Sequence, residues 1–494
     1  MKAKYLVIIA LILSFSALTA CRTGILDGDE VSTVKEQPAA PAPIVVDGVR
    51  ASYADVVEKT SPAVVQIEAR QQARQAAVPR GQSPGDDLLR QFGFPEQNQR
   101  PQIERGVGSG VIVSADGSIL TNHHVVEGAN KITITTHDNK TYDAKIVGTD
   151  QPSDLAVLKI EATDLPFLVL GNSDNVRVGD IVLAIGNPLG IGQTVTAGII
   201  SAKGRRTGLG DGSFEDFLQT DAPINRGNSG GALVNLAGEL IGINSQILSG
   251  GPSGGSIGIG FSIPSNMAKS VMDQLLKDGK VRRGMLGINI QNITDDTAKA
   301  LELKERSGIL VSNVRNGSAA DKAGVKRGDI ITAINGERID DSNVLRNKVA
   351  STLPGTDIKL TIVREGATTE VTATLDEFDM AGSERGAGQE GPGGGVAPQN
   401  QGGKLGLSLE PVTSQNAGKL GVNASDGGMV VTEVDPAGPA AEAGISRGDV
   451  ILEINRKPIT TMDDVRTALE AASDRPVLLL ITRGGQTVYV TVRP

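Results

Sequence analysis

The sequence predicts a mostly β protein of several domains, and three observations predict it. The first is length, because 494 residues exceed what one ordinary hydrophobic core organises and therefore indicate two to four domains. The second is composition: 62 glycines and only 2% aromatic residues favour many short strands joined by tight turns. The third is that the C-terminal part of the chain repeats itself, which indicates duplicated modules.

The N-terminus has the pattern of an export signal. Lys2 and Lys4 precede an apolar run over residues 5–18, which is too short for a stable membrane span. The run ends in Leu18-Thr19-Ala20-Cys21, which resembles a bacterial lipobox. Acylation of Cys21 would anchor the mature chain to a membrane, whereas an ordinary secretory signal would leave its thiol unmodified. Acylation is favoured because a free thiol is uncommon in an oxidising compartment, and both alternatives export the protein.

Composition divides the remaining chain. Residues 22–50 are rich in Pro and Ala and are predicted to be a flexible tether. The next segment, residues 51–275, has the size of a large domain and begins with a short helix expected at 53–59. Within it, residues 71–105 are rich in Gln, Arg, Pro and Gly and indicate a long insertion, either a regulatory loop or disorder.

Short β-rich runs follow between residues 106 and 267, separated by Asp-Gly, Gly-Asn and Asn-Pro turn signals. Their spacing fits an antiparallel barrel or a sandwich and does not choose between these two architectures. The predicted strands are residues 110–113, 131–136, 144–147, 155–160, 181–185, 195–201, 232–234 and 240–244.

The C-terminal region contains two copies of one module of about 90 residues. Residues 308–339 align without gaps onto residues 428–459, at an offset of 120. Matching stretches include Arg327-Gly328-Asp329 with Arg447-Gly448-Asp449. We assign the copies to residues 281–378 and 404–494, joined by a Gly-rich linker over residues 379–403.

A candidate nucleophile lies in Gly227-Asn228-Ser229-Gly230-Gly231. The flanking glycines allow a sharp turn, and the N–H groups of Gly227 and Ser229 could hold the oxyanion that forms when a hydroxyl attacks an amide. A Ser-Gly-Gly run is also typical of a plain surface turn, so this stretch alone does not establish catalysis.

A serine hydroxyl needs a base that is itself held by an acid. The chain has three histidines, of which His123 and His124 follow a predicted strand and His137 lies in a polar turn. Asp154 leads the apolar run 155–160, where its carboxylate could be held beside an imidazole. The resulting chain order of His, Asp and Ser is that of the chymotrypsin type.

Three motifs together resemble the HtrA/Do family of bacterial periplasmic serine proteases, in its DegP-like branch with two PDZ domains. They are Thr121-Asn122-His123-His124-Val125-Val126, Ser153-Asp154-Leu155-Ala156-Val157-Leu158 and Asn225-Arg226-Gly227-Asn228-Ser229-Gly230-Gly231. The resemblance extends from about residue 52 to residue 494. It implies a chymotrypsin-like double β-barrel followed by two small α+β PDZ domains.

The resemblance also implies residue roles. His124 would be the base, with His123 as the alternative ring; Asp154 would orient the base, and Ser229 would be the nucleophile. Gly227, Asn228 and Ser229 would line the oxyanion hole. Ile224 and Ile259 would narrow the substrate pocket, although both are equally expected as core residues. The PDZ carboxylate-binding loops would be Met285-Leu286-Gly287-Ile288 and Lys404-Leu405-Gly406-Leu407, each facing a helix, at 342–351 and 462–472.

The implied activity is ATP-independent endopeptidase action on unfolded envelope proteins. The implied assembly is a homotrimer or a multiple of it. Since Arg22 rather than Asp follows the lipobox, we expect the outer membrane over the inner. A binding or chaperone protein with minor proteolysis is the alternative. A net charge of −9 argues against a nucleic-acid partner, and neither a metal nor another cofactor is expected.

Overall fold

A computed structural model describes most of the chain. The described residues are 45–46, 49–72, 103–187, 192–207, 214–225, 227–249, 255–303, 305–378, 405–422, 427–471 and 475–493. The chain divides into a small unit, residues 1–55, and a large unit, residues 56–494. In the small unit, β1 (Val45–Val46) pairs antiparallel with β2 (Val49–Arg50). This short hairpin lies at the C-terminal end of the predicted tether.

The large unit opens with two closed barrels. The first barrel joins its strands in the order β3-β4-β5-β8-β7-β6 and the second in the order β10-β11-β14-β13-β12-β9. The strands are β3 (Val64–Gln72), β4 (Ile103–Ile112), β5 (Ser118–Thr121), β6 (Lys131–Thr135), β7 (Thr141–Asp150), β8 (Leu155–Ile160), β9 (Ile181–Gly186), β10 (Thr194–Arg205), β11 (Phe217–Thr220), β12 (Ala232–Asn235), β13 (Leu240–Ser249) and β14 (Ser256–Pro264). Because both sheets are closed, they form two barrels and not a sandwich.

Branched aliphatic residues fill each barrel, as the composition predicted. Ile67, Ile119 and Ile134 are fully buried in the first barrel, and Ile200 and Leu233 in the second. The barrels contain few aromatic residues, so their cores depend on side chains that pack well on a pleated surface.

Two short helices flank these strands, and a longer one follows them. Helix α1 (Ala54–Thr60) matches the predicted helix within one residue, and α2 (His123–Val126) follows β5. Helix α3 (Ser265–Asp278) follows the second barrel and was not predicted. The predicted insertion 71–105 is also corrected at its ends, because Gln72 pairs with Ile103 and the hairpin β3–β4 extends into it.

Two modules of the same topology complete the large unit. We call residues 284–377 the first module and residues 405–492 the second module. Their sheets run β16-β17-β18-β20-β21 and β23-β24-β25-β27-β28, with β15 and β22 forming a separate pair. The strands are β15 (Gly284–Met285), β16 (Ile288–Asn292), β17 (Ile309–Val314), β18 (Ile330–Ile334), β19 (Glu337–Arg338), β20 (Asp357–Arg364), β21 (Ala367–Thr374), β22 (Asp376–Glu377), β23 (Leu407–Pro411), β24 (Met429–Val434), β25 (Val450–Ile454), β26 (Lys457–Pro458), β27 (Val477–Arg483) and β28 (Gln486–Val492).

Each module has short helices beside its sheet. They are α4 (Asp295–Ala300), α5 (Ala319–Lys322) and α6 (Ser342–Ser351) in the first module, and α7 (Ala417–Leu420), α8 (Pro439–Glu442) and α9 (Met462–Glu470) in the second. Helix α6 has the predicted bounds, whereas α9 ends two residues earlier than predicted.

The duplication extends to individual side chains. Arg364 pairs with the buried Asp329 in the first module, and Arg483 pairs with the buried Asp449 in the second. Both copies therefore use one buried carboxylate to fix the turn before β18 or β25. This agreement between sequence repeat and structure confirms the duplicated, mostly β architecture.

Candidate active site

Asp154 is held in place by the segment that leads into α2. It follows a 3₁₀ turn and has a left-handed backbone, with φ of 54°. The Asp154 carbonyl accepts hydrogen bonds from the His123 N–H (3.1 Å) and from the Asn122 side-chain amide (3.0 Å). A non-glycine residue in this conformation costs of order 1–3 kcal/mol and persists only where its surroundings enforce it. The carboxylate of Asp154 is thereby directed toward the first turn of α2.

The Asp154 carboxylate is hydrogen-bonded to His124. The His124 Nδ1 lies 2.9 Å from both Asp154 carboxylate oxygens, and the His124 backbone N–H donates to one of them. Burial lowers the pKa of His124, but the hydrogen bond and charge of Asp154, with the charge of Glu127, outweigh burial and raise the pKa above its usual 6.5. With Nδ1 engaged by Asp154, the other ring nitrogen, Nε2, remains to accept a proton.

The other two histidines lie in different surroundings. His123 is largely buried, and its Nε2 lies 3.8 Å from Glu127. Its Nδ1 has no hydrogen-bond partner among the described residues. His137 is exposed, as expected for a polar turn. The structure therefore brings His124, and not His123, to the Asp154 carboxylate.

Ser229 lies on a turn that β4 and β13 fix from both sides. Ser109 N–H donates to the Ser229 carbonyl (2.8 Å), and Gly230 N–H donates to the Asn244 carbonyl (2.7 Å). Gly230 has φ of 81°, and a Cβ there would lie 2.1 Å from the Ser109 carbonyl oxygen, so only glycine fits. The Ser229 hydroxyl itself donates to the Ser245 carbonyl at 2.9 Å. No hydrogen bond joins Ser229 to His124 in the described part of the chain.

The predicted oxyanion-hole residues differ in what their N–H groups do. Asn228 N–H donates to the Asn225 carbonyl at 3.0 Å, so that donor is occupied. Within the described residues, the N–H groups of Gly227 and Ser229 have no acceptor. Two donors without acceptors, on residues separated by one position, can hold an oxyanion if both point to it.

Ser245 is a polar neighbour of the pair that the sequence analysis did not identify. Its hydroxyl donates to Asp154 Oδ2 at 2.8 Å, while its carbonyl accepts from Ser229. It lies on β13, 16 residues after Ser229, and no motif in the sequence marks it. Ser245 reaches Asp154 because closure of the second barrel places β13 beside the turn that precedes β8 of the first barrel.

A cleft of about 250 Å³ opens beside His124 and Asp154. Ile224 and Ile259, the predicted pocket residues, do not line this cleft. Ile224 is 1% exposed and packs in the core of the second barrel, whereas Ile259 is half-buried. The lining residues are His124, Gln151, Pro152, Ser153, Asp154, Phe214, Glu215, Asp216, Phe217, Ser245, Gln246, Ile263, Pro264 and Met267.

One acid in this cleft has a shifted pKa. Burial, helped by the charge of Asp174 and partly opposed by Lys203, raises the pKa of Asp216 to about 6. The neighbouring Glu215 carbonyl accepts hydrogen bonds from Asn343 (2.7 Å) and Asn347 (2.8 Å) of the first module. The wall of the cleft is therefore attached directly to that module.

A buried ion pair joins the first barrel to the segment that enters the first module. The Arg283 guanidinium donates to both carboxylate oxygens of Asp150, one at 2.8 Å, and both side chains are less than 10% exposed. Arg283 also lies over the Phe214 ring, 4.7 Å from its centroid. Asp150 lies four residues before Asp154, so this contact ends close to the acid of the site.

A larger groove of about 830 Å³ lies between β16 and α6. The predicted loop Met285-Leu286-Gly287-Ile288 lines it, together with Leu345 and Val349 of α6. Gly287 has φ of 74°, which a turn directing successive N–H groups to one side requires. In the second module, Gly406 has φ of 71°, and Leu405 and Leu407 are buried. Lys404 lies outside the described residues, as does Cys21.

Comparison with known proteins identifies the arrangement. A probable periplasmic serine endoprotease, DegP-like, of Chlamydia pneumoniae is 38% identical over 505 residues, covering 98% of each chain. The chain belongs to the HtrA/Do family of serine endoproteases. The periplasmic pH-dependent serine endoprotease DegQ of Escherichia coli strain K12 is 40% identical, covering 98% of this HtrA/Do protease and 99% of the relative.

Domain and structure comparisons agree with this assignment. A trypsin-like peptidase domain matches residues 108–243, and PDZ domains match residues 284–375 and 430–483. The solved HtrA-type protease AlgW with tripeptide is 42% identical, with a TM-score of 0.54, and covers 66% of this chain and 98% of its own. The predicted family, the chymotrypsin-like fold and serine endopeptidase activity of this HtrA/Do protease are confirmed. Among its described residues, no group of three or more His, Cys, Asp or Glu is placed to bind a metal ion, and no helix is long and apolar enough to span a membrane.

Proposed function

We propose that this HtrA/Do protease hydrolyses unfolded polypeptides outside the cytoplasm through an acyl-enzyme, without ATP. Ser229 is the nucleophile, His124 the general base and then the general acid, and Asp154 the residue that orients His124. The observation that carries the proposal is the contact of His124 Nδ1 with both Asp154 oxygens at 2.9 Å. That contact leaves His124 Nε2 as the proton acceptor.

In the proposed reaction, Ser229 is first acylated by the substrate and then released by water. The Ser229 hydroxyl rotates away from the Ser245 carbonyl, its proton passes to His124 Nε2, and its oxygen bonds to the substrate carbonyl carbon. The N–H groups of Gly227 and Ser229 hold the resulting oxyanion. Collapse breaks the C–N bond, and the amine leaves with the proton from His124. Water then repeats the sequence on the acyl-enzyme, and the acid product leaves.

The two PDZ domains supply substrate capture. We infer that a substrate C-terminus lies along β16 as an added strand, with its carboxylate at the turn Leu286-Gly287-Ile288. The second turn, Leu405-Gly406-Leu407, either binds a substrate C-terminus in the same way or forms an assembly contact. We propose domain boundaries at 51–275, 281–378 and 404–494, with a signal sequence over 1–21 and a linker over 379–403. The family matches at 108–243, 284–375 and 430–483 each fall inside one of the three proposed domains.

Assembly and location follow as further proposals. Ile181 and Ile199 are cross-strand partners on β9 and β10, and both are exposed, at 38% and 39%. Val178, three residues before Ile181, is 62% exposed, so the three residues lie near one another on the barrel surface. We propose that a second copy of the chain covers this patch in a homotrimer. Acylation of Cys21 then anchors the assembly to a membrane, the outer one in preference to the inner.

Substrate preference is proposed from two isoleucines. Ile224 and Ile259 narrow the primary pocket, so cleavage should follow small aliphatic residues such as Val and Ala. Ile224 is buried in the barrel core, so its alternative interpretation as a core residue is equally supported. A survey of cleavage sites in an unfolded protein tests the proposal, and a preference for Lys or Phe before the cut would contradict it.

The Ser229→Ala variant tests the proposed function. Casein degradation should fall to background, while suppression of the aggregation of an unfolded protein persists if the PDZ domains bind on their own. That second result would show two separable activities, as the chaperone alternative requires. A wild-type protein that cleaves no unfolded substrate would favour a binding protein over a protease.

A further inference from the structure

Arg315 and Asp435 occupy equivalent positions in the two modules, and each is hydrogen-bonded to the glycine of its PDZ turn. In the first module, Arg315 N–H donates to the Gly287 carbonyl at 2.9 Å, and its carbonyl accepts from Ser318 N–H at 3.1 Å. In the second module, Asp435 N–H donates to the Gly406 carbonyl at 2.8 Å, and its carbonyl accepts from Gly438 at 2.9 Å. The backbone is thus the same in both modules, but the side chain changes from a cation to an anion.

The Arg315 side chain lies against the first turn. Its Nη2 is 3.4 Å from Met285 Sδ, and a Cβ added to Gly287 would lie 3.6 Å from its Nε. Arg315 also lines the groove between β16 and α6. A guanidinium at this position is close to where a peptide carboxylate meets the turn N–H groups.

The charge of Arg315 is not taken by a neighbouring acid. Among the described residues, Arg315 makes no ion pair. The nearby Asp376 accepts from Ala319 N–H (2.7 Å) and pairs with Lys322, while Asp321 accepts from Gly317 N–H (2.8 Å). A ligand carboxylate would therefore find a guanidinium whose ionic partner is still open.

Asp435 has the opposite effect at the second turn. A Cβ added to Gly406 would lie 3.1 Å from Asp435 Cβ, so this side chain adjoins the turn as Arg315 adjoins the first. The Asp435 carboxylate accepts from Ala437 N–H at 3.0 Å, which fixes it in the loop. A like charge this close disfavours an incoming carboxylate.

We propose that Arg315 makes the first PDZ domain the one that selects free C-terminal carboxylates, and that Asp435 makes the second PDZ domain reject them. The inference rests on the proposed peptide capture by the PDZ turns and assigns it to one of the two copies. Peptides that bind at the second turn are then internal segments, whose backbone carries no terminal charge.

The test uses the full chain with Ser229→Ala, so that bound peptides are not cleaved. A fluorescent hydrophobic decapeptide is titrated in two forms, with a free C-terminal carboxylate and with a C-terminal amide, and binding is followed by anisotropy. R315Q should weaken the acid form about three- to tenfold and leave the amide form unchanged, as expected for a partly exposed charge pair. R338Q removes an equal charge from the first module away from the groove and should change neither affinity.

Calorimetry separates the two copies. The parent chain should bind one acid peptide, and D435R should raise this number toward two. A parent chain that prefers the acid form, with R315Q retaining the full preference, overturns the role of Arg315. A parent chain that binds two acid peptides equally well overturns the asymmetry. Equal affinity of the parent for acid and amide forms, or no binding, instead overturns carboxylate capture by the PDZ turns, on which the inference rests.

Discussion

The Ser229 hydroxyl donates to the carbonyl oxygen of Ser245, at 2.9 Å, and not to the imidazole of His124. His124 and Asp154 are in contact, whereas the Ser229 hydroxyl is directed to β13. In the mechanism we propose, the Ser229 hydroxyl leaves the Ser245 carbonyl before it passes its proton to His124. Substrate binding therefore has to break one hydrogen bond of the serine before proton transfer to His124 can begin.

Ser245 should act as a positioning residue for Asp154. Ser245→Ala removes the 2.8 Å hydrogen bond to the carboxylate and keeps the backbone carbonyl. We expect kcat to fall about ten- to a hundredfold with KM unchanged, because a hydrogen bond to a charged group contributes roughly 1.5–3 kcal/mol. Ser245→Thr keeps the hydroxyl and serves as the control, with near-normal kcat. Steady-state kinetics on an unfolded substrate measures both, and an unchanged kcat in Ser245→Ala would contradict this role.

The pH profile should reflect the raised pKa of His124. The imidazole must be neutral to accept the Ser229 proton, and Asp154 stabilises its charged form, so activity is lost as pH falls through a value above 6.5. The acid limb of kcat/KM against pH measures that value. In NMR titrations of the Ser229→Ala protein, Asp154→Asn should lower the His124 pKa more than Glu127→Gln does. An acid limb centred below 6.5 would argue against the contact as described.

The two adjacent histidines should differ sharply in effect. His124→Ala removes the proton acceptor and should reduce acylation by about four orders of magnitude or more. His123→Ala changes a ring that contacts Glu127 and not Asp154, so it should keep most of the activity. Burst-phase acylation of an ester substrate measures both variants under the same conditions. The reverse order of effects would assign the base to His123.

The ion pair between Asp150 and Arg283 should contribute to stability far more than its neighbour. Arg283→Met leaves a buried carboxylate without its partner, and we expect a loss of about 3–5 kcal/mol in denaturant unfolding. Arg282→Met is the matched control, since Arg282 pairs with Glu377 at the surface, and it should leave the transition where it is. Similar transitions for both variants would mean that the buried pair is not formed in solution.

The three candidate catalytic residues could be selected from the sequence because each lies in a local motif. His124 is the second residue of the short helix α2, Asp154 directly precedes β8, and Ser229 lies in a glycine-rich turn, so a motif of a few residues marks each position. Ser245 carries no such local pattern, and its place beside Asp154 arises only when β13 closes the second barrel. The same reason explains why the contact of Arg283 with Asp150 was not foreseen.

Element bounds were predicted best where periodicity is strong. The strand Leu155–Ile160 and the helix Ser342–Ser351 were placed within their observed bounds. Strand β13 continues five residues past its predicted end at Asn244, because its pairing with β14 extends to Ser249. Backbone pairing across a sheet is not encoded in local hydrophobicity, so such extensions escape a reading of the sequence.

Covalent labelling identifies which serine hydroxyl is activated as the nucleophile. The wild-type protein is treated with a fluorophosphonate probe, which bonds to serine hydroxyls activated by a base, and the modified peptide is mapped by mass spectrometry. We predict one label per wild-type chain, on Ser229, and no label on the Ser229→Ala or His124→Ala protein. A folded wild-type protein that takes no label, or takes it on another serine, would contradict the assignment of the nucleophile.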